Sequence, residues 1–107
     1  MYQLCVYVPE SHLEELKTAL FDEGAGKIGD YDSCAWDTEG VGQFRPLEGS
    51  RAFVGEIGEV ERVREYKVEM VCDEKYIKAI LKKLLEVHPY ETPAYHVYEI
   101  KTLEDLI

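Results

Sequence analysis

Basic residues are in short supply. The 107-residue chain sets 12 Lys and Arg against 22 Asp and Glu, a formal charge of −10. Nucleic-acid binding needs a cationic face for phosphates, and docking on anionic lipid needs one for headgroups, so both partner classes are set aside. Long apolar runs are also missing: nothing approaches the roughly 20 residues that span a bilayer. The opening Met1-Tyr2-Gln3-Leu4-Cys5 has neither a basic n-region nor a cleavage site, so a cytoplasmic protein without a signal peptide is expected. Cysteine occurs three times, at Cys5, Cys34 and Cys72, with no C-x-x-C spacing. That excludes a zinc ribbon or a redox pair by spacing and leaves reduced thiols packed as small apolar groups.

What is present is a run of alternating elements. The length suits one domain over 1–107. Residues 2–8 are aromatic and β-branched and predict a strand that Pro9 stops. Ser11 with Glu14 has the form of a capping box, opening a helix through Leu13, Leu16 and Leu20 that Gly24 ends. Gly24-Ala25-Gly26-Lys27-Ile28-Gly29 is literally G-x-G-x-x-G. A dinucleotide fingerprint follows a strand and opens a helix, and here the order is reversed, so the glycines read as a helix-to-strand connection needing positive φ. Two strand pieces are expected at about 31–37 and 41–45, around a turn near Glu39-Gly40. Pro46 to Gly58 is a loop, long enough to suggest a functional or partner-bound role.

Residues 59–72 carry the longest strand signal, with Tyr66, Val68, Met70 and Cys72 on one face. Asp73 caps a second helix whose stripe is Ile77, Ile80, Leu81 and Leu84, and Pro89 ends it at or before His88. Tyr95 to Ile100 is the last strand, and 101–107 is an acidic, half-apolar tail. The order β-α-β-β-α-β predicts an α+β fold, a ferredoxin-like plait with an antiparallel sheet and both helices on one face. The other sheet face is then either wet or covered by another subunit, and the aromatic strand residues favour a homo-oligomer.

Three groups carry candidate chemistry. His88, Tyr90 and Glu91 lie in the Pro-bracketed segment His88-Pro89-Tyr90-Glu91-Thr92-Pro93-Ala94-Tyr95. An imidazole and a carboxylate suit zinc or copper, but two ligands fall short of the three or four a firm site wants, so a rigid joint between helix and strand is the stronger reading. Tyr31, Cys34 and Trp36 form a second group. A nucleophilic cysteine needs a base, and spacing alone does not bring His88 to it, so a packed strand cysteine is preferred. Arg45, in Phe44-Arg45-Pro46, could fork onto an anionic ligand, although the surplus of acids favours an ion pair.

Several stretches together resemble a known family. They are Gly24 to Trp36 (Gly-Ala-Gly-Lys-Ile-Gly-Asp-Tyr-Asp-Ser-Cys-Ala-Trp), Gly40 to Pro46 (Gly-Val-Gly-Gln-Phe-Arg-Pro), the glycines at 49, 55 and 58 with Glu61, and His88 to Tyr95. The chain resembles the PII/CutA-like domain found inserted in the dinuclear-metal NIF-three-like proteins of the YqfO type, here standing alone, and its His-Pro-Tyr-Glu segment looks like that of CutA. The resemblance implies a ferredoxin-like fold and a trimer in which strands of one subunit extend the sheet of the next. It does not carry over the dinuclear metal site, which belongs to the flanking halves of the larger proteins. The expectation is a small trimeric module that senses or scaffolds through a bound ligand or divalent metal, non-enzymatic rather than catalytic. The ligand positions are His88, Tyr90, Glu91, Tyr31, Cys34, Trp36 and Arg45, with His88 and Glu91 as the metal pair. The rivals are an enzyme with an intersubunit Cys34/His88 site and a pure interaction module using the tail residues Leu103, Leu106 and Ile107.

Overall fold

The computed structural model describes residues 1–106. Its elements are β1 (Tyr2–Pro9), α1 (Leu13–Asp22), β2 (Trp36–Phe44), β3 (Glu61–Cys72), α2 (Ile77–Val87) and β4 (Tyr95–Glu99). The sheet order is β2-β3-β1-β4, and every neighbouring pair is antiparallel. This is the ferredoxin-like plait: each helix crosses over a strand, so the first and third strands meet at the centre. Among the described residues no helix is long and apolar enough to cross a membrane.

Side-chain alternation puts Leu4, Val6 and Val8 of β1 on the same face as Val68, Met70 and Cys72 of β3. Leu13, Leu16 and Leu20 of α1 and Ile80 and Leu84 of α2 close over that face. Each fully buried side chain of this size contributes roughly 1.5–3 kcal/mol, so the helix-covered layer is the main source of stability. Lys17 on α1 pairs with Asp37 on β2 at 2.8 Å and ties the helix to the outer strand.

The end of α1 is a Schellman motif. The amide of Gly24 donates to the Phe21 carbonyl, and that of Ala25 to the Leu20 carbonyl. Gly24, Gly26 and Gly29 all have positive φ, as a connection rather than a nucleotide loop requires. At Gly26 a Cβ would lie 2.6 Å from the Cys34 carbonyl oxygen, so the backbones there approach too closely for any side chain.

Three local expectations are corrected. Residues 36–44 form one uninterrupted strand, with no turn at Glu39-Gly40. Gly40 and Gly42 are not among the positive-φ glycines, so they serve as extended residues without side chains. The Ser11–Glu14 capping box does not form either. A 3-10 turn over Glu10–His12 precedes α1, no side chain caps the helix, and the Ser11 hydroxyl bonds Nδ1 of His12 at 2.8 Å instead. Asp73 does not cap α2 itself, whose N-cap is Tyr76 with no side-chain cap bond; its Oδ1 accepts from the Lys75 amide at 3.0 Å in the turn leading into the helix. In the tail, Thr102 and Asp105 form a capping box over a short 3-10 turn, and Leu103 is 84% exposed. Ile107 lies outside the described residues.

Candidate functional site

The sheet face away from the helices carries Gln3, Cys5 and Tyr7 of β1, Trp36 and Phe44 of β2, Glu65, Lys67 and Glu69 of β3, and His96 and Tyr98 of β4. It is mixed in character. Trp36 is 69% exposed and Tyr98 56%. At one end, the long loop after β2 and the Pro-bracketed segment before β4 fold over this face. Between them lies a cleft of about 540 Å³, within the usual size of a small-molecule site.

His88 sets the frame of that cleft. It is 5% exposed. Its Nε2 donates to the Tyr7 carbonyl at 2.7 Å, and its Nδ1 accepts from the Tyr90 amide at 3.1 Å. Those partners define the neutral tautomer with hydrogen on Nε2. Desolvation holds the imidazole below its ordinary value of 6.5, against the smaller opposing pulls of the Tyr7 carbonyl and Glu65. Both nitrogens are engaged, so a metal at His88 would have to break one of these bonds. Among the described residues no three His, Cys, Asp or Glu side chains converge as a metal would need. Zinc or copper therefore does not fit the donor set of a single chain.

Tyr90 and Glu91 stand on the scaffold that His88 holds. The Tyr90 hydroxyl donates to Glu65 Oε2 at 2.7 Å. Burial first, and then the Glu65 carboxylate, push this phenol well above its ordinary value. Its ring tilts against Phe44 at 5.8 Å and Phe53 at 6.2 Å. Glu91 Oε2 accepts from the Arg51 amide at 3.0 Å, clamping the long loop to the Pro-bracketed segment. His12 meets Phe53 edge-on at 5.5 Å and props the same loop from outside. Arg45 lines the rim, and the ion pair expected of it is absent among the described residues. Ser50, also in the lining, has a buried hydroxyl without a partner.

The second sequence group lies elsewhere. Cys34 and Trp36 line a separate hollow of about 290 Å³ with Ile28 and Gln3. Tyr31 is 74% exposed. The Cys34 amide bonds the Gly26 carbonyl, and the Gly26 amide bonds the Val71 carbonyl, which anchors Cys34 near the Gln3–Val71 row. His88 holds Tyr7, four β1 residues away, or roughly 13 Å along the strand. One chain thus brings His88, Tyr90, Glu91 and Arg45 together and leaves Tyr31, Cys34 and Trp36 apart.

Glu65 was missed by sequence reasoning. It sits in a strand of alternating charges, and only the register of β3 against β1 and β2 reveals which acid faces the cleft. A signal did exist in Gly42. The Glu65 carboxylate lies where a Gly42 Cβ would be, so the strand glycine makes room for it.

No protein-family model matches the chain. The sequence is 42% identical over 99 residues to a Bacillus subtilis protein named GTP cyclohydrolase 1 type 2 homolog, a match covering 92% of this chain and 26% of that protein. A solved structure of a Bacillus cereus protein related to NIF3 superposes with a TM-score of 0.80 at 38% identity, over 94% of this chain and 26% of the other. The structure of CutA from Xylella fastidiosa superposes with a TM-score of 0.68 at 17% identity, over 94% of this chain and 84% of that one. The last likeness is one of fold alone. The architecture is thus the CutA-like, ferredoxin-like plait. Within that class the chain is a homologue of the NIF3-related proteins, and it spans about a quarter of the length of the relatives it matches.

Proposed function

We propose that this chain is a homotrimeric, non-enzymatic module that binds a small organic molecule in the cleft between the long loop and the Pro-bracketed segment, as a sensor or scaffold. One observation supports the reading above others. The cleft is walled by Phe44, Phe53 and Tyr90, and the Tyr90–Glu65 and Glu91–Arg51 bonds hold its two rims in place. A few fixed polar groups among apolar walls is the usual make-up of such sites. The trimer reading draws on the uncovered face with Trp36 and Tyr98, and on β2, a nine-residue outer strand with one edge unpaired.

The reaction in the relatives' name describes proteins about four times as long as the matched segment. A Cys34/His88 enzyme would have to complete its site across subunits, since one chain holds the two apart. A second reading, an interaction module, is favoured by Leu103 and Leu106, both exposed in the tail.

A thermal-shift screen of small organic compounds tests the leading reading. Stabilising compounds are expected on the wild type, and they should lose their effect on Phe53→Ala, whose exposed ring can be removed without touching the core. Stabilisation that survives this change would place binding elsewhere. Sedimentation velocity tests the assembly: a three-chain particle at micromolar concentration is expected, and a stable monomer contradicts it.

A further inference from the structure

The charge balance inside the cleft narrows the ligand class, given the binding reading above. Glu65 is half-buried on the inner wall. One carboxylate oxygen accepts from the Tyr90 hydroxyl, and the other lies over Gly42. Among the described residues, no Lys, Arg or His nitrogen comes within 4.0 Å of it. Its neighbours in the cleft are Tyr7, Phe44 and Tyr90, with Phe53 beyond, and Lys67, which shares the adjoining hollow with it, pairs with Glu69 at 3.9 Å instead. A carboxylate withdrawn from water without a cationic partner is costly, and a cation supplied by a ligand removes that cost. The ring faces act with the same sign, because their quadrupoles attract cations.

Arg45 pulls the other way and is the weaker influence. It is exposed on the rim, where water and salt screen its charge. It also lies three residues beyond Gly42, roughly 10 Å along an extended chain, so it does not neutralise Glu65. The inner wall therefore decides the sign of charge the cleft accepts. The cavity of about 540 Å³ is far larger than a bare ion and suits an organic body.

We propose that the cleft binds an organic ammonium compound, with its cationic nitrogen against Glu65 beside the rings of Phe44 and Tyr90, and its apolar body along Leu47 and Phe53. Three probes of like size test this: benzylammonium, benzyl alcohol and phenylacetate, each titrated into the full chain and followed by amide chemical shifts. Benzylammonium should bind about tenfold more tightly than benzyl alcohol, the scale of a cation–ring contact joined to a partly desolvated carboxylate. Glu65→Gln keeps an oxygen to accept from Tyr90, and it should erase that preference without unfolding the chain. If phenylacetate binds as well as benzylammonium, or if the preference persists in Glu65→Gln, the ammonium assignment is overturned while the binding cleft stands. If no probe shifts the cleft amides in the wild type, the binding reading falls with it.

Discussion

The Tyr90 hydroxyl donates to Glu65 Oε2 across 2.7 Å, joining the Pro-bracketed segment to the longest strand of the sheet. The bond depends on a third residue, one that has no side chain at all. Gly42 on β2 leaves the space into which the Glu65 carboxylate settles.

Gly42→Ala should therefore displace Glu65, weaken its bond to Tyr90 and loosen the cleft. The expected loss is roughly 1–3 kcal/mol, typical of overpacking. Gly40→Ala is the control. It lies on the same strand and face, but nothing occupies the space where its Cβ would go, so a change within about 0.5 kcal/mol is expected. Urea denaturation of both variants reads the difference. Equal losses would mean that Gly42 matters only as a strand glycine.

His88→Ala should destabilise the chain by roughly 2–4 kcal/mol, because it strands the Tyr7 carbonyl and the Tyr90 amide and opens a cavity. Zinc calorimetry on the two proteins separates structure from ligation. Since both ring nitrogens hold backbone groups, the heats should match. A zinc isotherm present in the wild type and missing in the folded variant would make His88 a ligand.

Stability should depend on pH through the same ring. Its folded value lies below 6.5 because desolvation penalises the charged form. The unfolded chain then takes up a proton more readily than the folded one. The stabilisation is complete above the unfolded value and is lost as pH falls from about 6.5 toward the lower folded value. His88→Gln lacks this titration, so its urea midpoint should fall less steeply through that window. Parallel slopes would show that the imidazole does not contribute.

The cysteines should differ in reactivity. Cys5 and Cys72 are buried, and burial pushes the Cys72 thiol up to about 11. Cys34 is only partly covered, with its Sγ 3.6 Å from the Asp32 carbonyl oxygen. Iodoacetamide at about pH 8 should label Cys34 in the folded chain and reach the other two only on unfolding. Labelling of Cys72 under native conditions would contradict the packing described.

Much of the plait was legible because each strand and helix states its period locally. The stripe Ile80–Leu84 and the alternation Val68–Met70–Cys72 both pack as their spacing predicts. The failures were of two physical kinds. Gly40 suggests a turn locally because glycine permits one, whereas the register of β2 against β3 needs an extended residue there. Ser11 has the local spacing of a cap, but Pro9 leads into a 3-10 turn in which His12 Nδ1 takes up the hydroxyl. For the candidate site, the nearness of His88, Tyr90 and Glu91 is legible because the three share one short segment. Glu65 and Phe53 come from other parts of the chain, and only the strand register and the loop's return bring them in. The separation of Cys34 from His88 is likewise a property of topology that no local spacing encodes.

The most direct test of the account is an amide-resolved NMR screen of small organic molecules against this 107-residue chain. Binders should shift the amides of Phe44, Phe53, Glu65 and Tyr90 together, as one cleft. Shifts centred on Cys34 and Trp36, or the absence of any saturable binder at the cleft, would contradict it.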